Sequence, residues 1–225
     1  MTAPNTNDPM TGAVSRLSSA RPEEEDKPRD ECGVFGIYGH EEAAAHAVLG
    51  LHALQHRGQE AAGIVSYDGD RFNSHRDLGL VADTLAGEDV VASLKGHSAI
   101  GHVRYSTTGE TVLRNVQPLF AEFSSGGFAV AHNGNLTNAW QLRRRLVSEG
   151  SIFQSTSDTE VIIHLIATSP GRTLIDRFID ALRQVVGAYS LVALTRDMLI
   201  GVRDPMGRRA LARTIRPASR GVASR

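Results

Sequence analysis

Arg29-Asp30-Glu31-Cys32-Gly33-Val34-Phe35-Gly36-Ile37-Tyr38-Gly39, RDECGVFGIYG, holds the single cysteine of a 225-residue chain, and the fold is decided by how this stretch is read. From Cys32 onward it is short, apolar and punctuated by glycine, the pattern of a buried strand whose backbone runs close to its neighbours. Residues 1–31 differ in texture. They carry four of the eight prolines (Pro4, Pro9, Pro22, Pro28) and the acidic run Glu23-Glu24-Glu25-Asp26. So little apolar surface cannot offset the entropy of ordering, which predicts a disordered leader or propeptide. A lone cysteine is ordinarily a small buried hydrophobe. At the junction of a removable leader and a strand it acquires a second meaning. Cutting the Glu31–Cys32 bond would give Cys32 a free α-amine, with an ordinary pKa of about 7.7–8.0. That amine can take the thiol proton directly or through a water, without a histidine base.

Working outward, EEAAAHAVLGLHALQHR has helical periodicity with acids expected in its first turn, and AAGIVSYDGDRFNSHRDLG reads as two strands joined at Asp68-Gly69. SAIGHVRYS is a further strand, and LFAEFSSGGFAVAHNG a hairpin with a glycine-rich turn. TNAWQLRRRLVSEG predicts a helix closed by Gly150. Ser157-x-x-Glu160 has the spacing of a capping box before an apolar helix that stops at Pro170-Gly171. An amphipathic helix, TLIDRFIDALRQVVG, and two strands about Arg196-Asp197 complete the series. Hairpins and helices in blocks point to a layered α+β domain and away from a doubly wound nucleotide fold.

The formal net charge of −1 gives no general attraction to nucleic acid or to an anionic membrane. Six of the 24 basic residues fall between Arg208 and Arg225, where there is no acid, leaving 18 against 25 acidic residues elsewhere. There is no secretory leader and no apolar run of spanning length, so a cytoplasmic protein without membrane or nucleic-acid partners is expected. One cysteine cannot form an internal disulfide or a multi-cysteine metal site. The nine histidines are scattered, and the spacing of His46, His52 and His56 does not make a metal site.

Three further stretches carry polar groups of chemical interest. HVRYSTTG places Arg104 at a strand end, and arginine is the planar fork for a carboxylate, though a surface salt bridge would look the same. VAHNGNLTN is expected to end a strand in an Asn-Gly-Asn turn, with an exposed Asn133 amide and the Gly134 N–H as oxyanion donors, or simply to cap a helix. Asp158 stands at a helix start, where the dipole favours an acid whatever its function.

The order of these motifs carries more than any one of them. Cys32 at a processed start, QHRGQEAAGI (Gln55 to Ile64), GHVRYSTTG, AHNGNLTN, SDTE and VRDPMG together resemble the glutaminase domain of the amidophosphoribosyltransferase family, over about residues 31–207. The resemblance implies a class II glutamine amidotransferase with the N-terminal nucleophile hydrolase fold, a four-layer α/β/β/α sandwich. It implies that Cys32 attacks the side-chain amide of L-glutamine and that Asn133 and Gly134 bind the oxyanion. Arg104 would hold the substrate α-carboxylate and Asp158 its α-ammonium. Arg57 and Gly58 would line the site beside the nucleophile, Tyr105 would belong to its mobile rim, and Thr107 and His102 would also belong to the site. The ammonia would be destined for phosphoribosyl pyrophosphate in purine biosynthesis.

After VRDPMG the resemblance fails. Residues 208–225, RRALARTIRPASRGVASR, show no apolar periodicity and are expected to be an aberrant basic tail, from a truncated or frame-shifted reading or as an anion-binding extension. The expected organisation is leader 1–31, glutaminase domain 32–207 and tail 208–225, with the phosphoribosyltransferase domain missing. Full-length relatives are homo-oligomers that use magnesium with phosphoribosyl pyrophosphate, and some with long leaders hold a 4Fe-4S cluster; none of this is expected in the chain itself. Two alternatives remain: an unprocessed, non-catalytic glutamine-binding fragment, or another N-terminal nucleophile hydrolase.

Overall fold

The computed structural model describes residues 32–105, 112–208, 211–216 and 219–224, so the leader and Thr107 lie outside the described residues. The opening stretch forms strand β1 (Gly33–Tyr38) in a sheet with β2 (Ala61–Tyr67), β3 (Phe72–Leu78), β4 (Ser98–Arg104), β9 (Leu211–Arg216) and β10 (Ser219–Ser224). Its order is β3-β2-β4-β1-β10-β9, and every neighbouring pair is antiparallel. A second antiparallel sheet, β5-β6-β7-β8, comprises β5 (Leu119–Phe123), β6 (Gly126–Leu136), β7 (Gly187–Thr195) and β8 (Leu199–Arg203).

Strand alternation sorts the side chains into three apolar layers. On the outer face of the first sheet, Ile37, Ala62, Ile64, Ala99 and Val103 pack under helix α1 (Ala43–Ala53) through Ala43, Ala47 and Leu51. The short helices α2 (Val81–Thr84) and α3 (Glu88–Ser93) lie on the same side, where Val81, Leu85 and Leu94 join that cluster. Between the sheets, Val34, Val65 and Ile100 meet Ala129, Ala131, Val192 and Leu194. On the far side, Phe128, Val130, Leu191 and Ala193 pack against helices α5 (Thr159–Thr168) and α6 (Leu174–Gln184). Helix α6 buries Leu174, Phe178 and Ala181, one stripe at helical spacing, and Phe178 meets Phe128 edge-on at 5.1 Å. The result is the helix–sheet–sheet–helix sandwich that the resemblance implied.

Several local expectations hold for physical reasons. Asp68 closes the β2–β3 turn by accepting from the N–H groups of Asp70 and Arg71, and these bonds with that from Asn73 pull its pKa down to about 2. Helix α4 (Ala139–Ser148) ends in a Schellman motif. Gly150, at φ +97°, donates to the Val147 carbonyl, and Ser151 donates to that of Leu146.

Others are corrected. Glu41 and Glu42 fall before α1, not in its first turn. The capping box belongs to Thr173 and Asp176 at α6, whereas Ser157 and Glu160 form none, because Glu160 is engaged with the preceding loop. Strand β6 does not stop at Asn133; it pairs with β7 through Asn133↔Ser190, Gly134↔Tyr189 and on to Leu136↔Gly187. Asn133 is therefore wholly buried, not exposed. Finally, the described part of residues 208–225 is regular despite its lack of apolar periodicity: β9 and β10 form a hairpin, and β10 pairs with β1 from Phe35↔Ala223 to Tyr38↔Arg220. Backbone ladder bonds along an otherwise open β1 edge need no apolar alternation, which is why composition did not reveal them. The sheet thus extends past residue 207.

Candidate active site

The strand ends of both sheets meet at one rim of the sandwich. On β4, alternate residues Ile100, His102 and Arg104 face the second sheet, while Ala99 and Val103 face α1. Cys32 immediately precedes β1 and shares the parity of inward-facing Val34. The thiol and the guanidinium are thus delivered to the same rim by two neighbouring strands. From the second sheet, β6 brings Gly134, and the N-cap of α5 brings Asp158. A cavity of about 330 Å³ lies between them, lined by Cys32, Arg104, Tyr105, Gly134 and Asp158 and completed by Asn115, Gln117, His132, Asn135, Thr156 and Ser157.

Each group is held. The Tyr105 N–H donates to Cys32 Sγ at 3.4 Å, and Arg57 Nε donates to the Cys32 carbonyl at 3.4 Å. A Cβ on Gly58 would sit 2.6 Å from the Val103 carbonyl carbon, so only glycine lets the chain after the 3₁₀ turn Gln55–Arg57 pass this close to the end of β4. Gly134 has φ +141°, and a Cβ there would lie 2.1 Å from the Ala188 carbonyl oxygen. Asp158 accepts from Leu136 N–H at 3.0 Å through Oδ2, and its Oδ1 lies 3.5 Å from His132 Nδ1. His132 in turn bonds Thr159 Oγ1 at 3.0 Å, and its own N–H donates to Gln117 Oε1 at 2.7 Å.

The charges are arranged in opposition. Burial pushes the Cys32 thiol above its ordinary value. The Tyr105 hydrogen bond and the Arg104 charge work against this, and Asp158 adds to it. Burial would likewise raise Asp158, but His132, Leu136 N–H and Thr159 N–H outweigh it and hold the carboxyl below its usual range. Arg104 Nε is buried and has no hydrogen-bond partner among the described residues. One cavity therefore presents a thiol, a cation with unspent donor capacity and an anion.

The comparisons with known proteins agree with this geometry. A family model described as a glutamine amidotransferase domain matches residues 102–225. An amidophosphoribosyltransferase of Rhizobium etli is 60% identical over 186 residues, covering 83% of this chain and 38% of the relative. One from Lacticaseibacillus casei is 50% identical over 182 residues, covering 81% of this chain and 94% of the relative. The chain belongs to the amidophosphoribosyltransferase family. A solved Bacillus subtilis glutamine phosphoribosylpyrophosphate amidotransferase superposes with a TM-score of 0.80 at 46% identity, over 85% of this chain and 41% of that one. The matched part spans about a third of several curated amidophosphoribosyltransferases, 38% of the Rhizobium protein and 33% of one from Glycine max.

Within this amidophosphoribosyltransferase-family chain, Cys32, Arg104, Tyr105, Gly134 and Asp158 line one cavity. Arg57 and Gly58 do not line it: Arg57 holds the Cys32 carbonyl, and Gly58 packs on the Val103–Arg104 backbone of β4. Asn133 and His102 do not line the cavity either. Both are fully buried, and burial first, then the Arg104 and His132 charges, push His102 down to about 3. His102 is thus a neutral core histidine beneath the site. Sequence reasoning missed Asn115, Gln117, His132, Asn135, Thr156 and Ser157. Their signal was position: His132 and Asn135 lie inside AHNGNLTN, and Thr156 and Ser157 directly precede Asp158. No helix among the described residues is long and apolar enough to cross a membrane, and none of their His, Cys, Asp and Glu side chains form a group of three that could hold a metal ion. An iron–sulfur cluster takes several thiolates, and with a single cysteine the chain's own residues do not fit one.

A pH dependence follows from the carboxylates of this rim. Asp158 and Glu160 have native pKa values below their ordinary 3.8 and 4.5. Their contribution to stability is therefore complete above those ordinary values and lost as pH falls through the lower native ones. Urea unfolding midpoints measured from neutral pH down to about pH 3 should fall steeply only below about pH 4.5, with a shallower fall in Glu160→Gln.

Proposed function

We propose that this chain hydrolyses the side-chain amide of L-glutamine to glutamate and ammonia through a thioester on Cys32. The observation that carries the proposal is the grouping of the Cys32 thiol, the Arg104 guanidinium and the Asp158 carboxylate around one cavity. A free α-amino acid presents a carboxylate and an ammonium close together; an internal residue of a peptide presents neither. Arg104 would take the α-carboxylate as a fork, Asp158 the α-ammonium, and the side chain would then reach toward Cys32.

In the first half-reaction the sulfur attacks the amide carbon, and the developing oxyanion is met by the Gly134 N–H with Asn133 behind it. Removing one such donor costs about 10²–10³ in rate in other acyl transfers. The thiol proton goes to the α-amine that cleavage after Glu31 would create, and from there to the departing ammonia. Water then adds to the thioester, the same amine takes its proton, and glutamate leaves with the thiol restored. In the uncut chain that nitrogen is an amide and no base, and burial holds the thiol protonated. The longer relatives would pass the ammonia to phosphoribosyl pyrophosphate, with its magnesium, in the part of their chains outside the matched region.

The test is ammonia release from L-glutamine compared with asparagine and with γ-linked dipeptides. Glutamine alone should be turned over, and equal turnover of an N-blocked glutamine would remove Asp158 from its proposed role.

A further inference from the structure

The wall that carries Thr156, Ser157 and Asp158 has no regular structure: residues 151–157 form neither helix nor strand. Their backbone groups must find partners elsewhere. Two side chains supply four of them. Glu160, 8% exposed, accepts from Gln154 N–H at 2.8 Å through Oε1, and from Ser155 N–H at 2.8 Å and Ser155 Oγ at 2.6 Å through Oε2. Arg143, from α4, donates through its two terminal nitrogens to the Ser155 carbonyl at 2.9 Å and the Ser157 carbonyl at 2.8 Å. The two side chains approach each other at 3.9 Å. Phe153 lies 4.0 Å under the guanidinium and 4.1 Å from the His164 ring, and His164 Nε2 is 3.7 Å from Glu160 Oε1. Asn115 ties the next residue from the opposite side, accepting from Thr156 N–H at 3.0 Å and donating to Thr156 Oγ1 at 2.9 Å.

We infer that Arg143 and Glu160 are positioning residues of the amino-acid site. One opposed pair of charges grips the donors at 154 and 155 and the acceptors at 155 and 157, and so fixes where the Asp158 carboxylate meets a substrate ammonium. Neither side chain lines the cavity. Both act through the loop. The inference rests on the glutamine reading and adds to it the device that sets selectivity for the α-ammonium. The geometry also dictates which variants disrupt it. Glu160→Gln keeps the shape but turns a donor toward N–H groups that need an acceptor. Arg143→Lys keeps the charge but cannot span two carbonyls in a fixed fork.

The experiment compares two thiol probes on the full chain in its processed form: a diazo-ketone analogue of L-glutamine, and the same compound without its α-amino group. Each alkylates a thiol with loss of dinitrogen, the thiol proton passing to the diazo carbon, and peptide mapping locates the adduct. In wild-type chain the amino-bearing probe should label Cys32 much faster. In Glu160→Gln and in Arg143→Lys its saturation constant should rise roughly tenfold or more with little change in the limiting rate, while the probe lacking the amine keeps its wild-type rate. The preference for the amine should therefore collapse. Variants that retain the preference, or lose both probes equally, overturn the inference, since the pair would then serve nothing or only the fold. Wild-type chain labelled at Cys32 by neither probe would instead remove the glutamine reading itself.

Discussion

Cys32→Ala is expected to reduce ammonia release from glutamine by roughly 10⁴- to 10⁶-fold, the scale seen when a nucleophile that works as a unit with its base is removed. The chain has no second thiol to take over. The loss should appear in kcat while glutamine still binds, because Arg104 and Asp158 sit on other elements and Asp158 keeps its bond from Leu136 N–H. Folding should be little affected: Cys32 is only partly buried and joins none of the three apolar layers. Ammonia assay and ligand-induced thermal stabilisation, read together, separate the two effects. Cys32→Ala with ordinary turnover would end the account of the thiol, whereas loss of binding as well would mean that the side chain shapes the site.

Arg104→Ala should raise KM for glutamine by about 10- to 100-fold, the value of a charge-assisted hydrogen bond or two. Its second effect is electrostatic. The Arg104 charge opposes the burial that raises the Cys32 thiol, so without it the alkaline-going limb of the pH–rate profile should move to higher pH. Arg104→Lys is expected to recover the pH limb but not the KM, because a point charge lowers the thiol as well as a fork does but cannot match the planar carboxylate. A variant lysine that restored both would argue against bidentate recognition.

Much of this was legible from the chain, and the reason lies in where each signal originates. Cys32, Arg104 and Asp158 each stand at the start or end of a regular element, and strand alternation alone sets Cys32 on the parity of Val34 and Arg104 on that of Ile100. Asn115 and Gln117 could not be found in that way. They reach the cavity from the 3₁₀ turn Leu113–Asn115 and the residues after it, whose position is fixed by tertiary hydrogen bonds to Thr156 and His132, contacts 41 and 15 residues away in sequence. Asn133 misled because Asn-Gly is a strong turn signal, yet pairing with β7 carries β6 straight through it, and Gly134 absorbs the positive φ as a residue within the strand. The tail misled in the other direction: its arginines hid a hairpin held by ladder bonds to β1, which composition does not record. Glu160 showed the spacing of a capping residue but serves the loop before its helix, a choice decided by the distance to Gln154 and Ser155.

Intact mass and N-terminal sequence of the chain isolated from its own cells, with ammonia release measured on the same sample, bear most directly on the thiol and its base. Protein that begins at Cys32 and turns over glutamine, beside an unprocessed form that does not, is the predicted result. Protein still carrying Met1 or Thr2 that releases ammonia just as fast would contradict it, because Cys32 would then be working without the amine assigned as its proton acceptor.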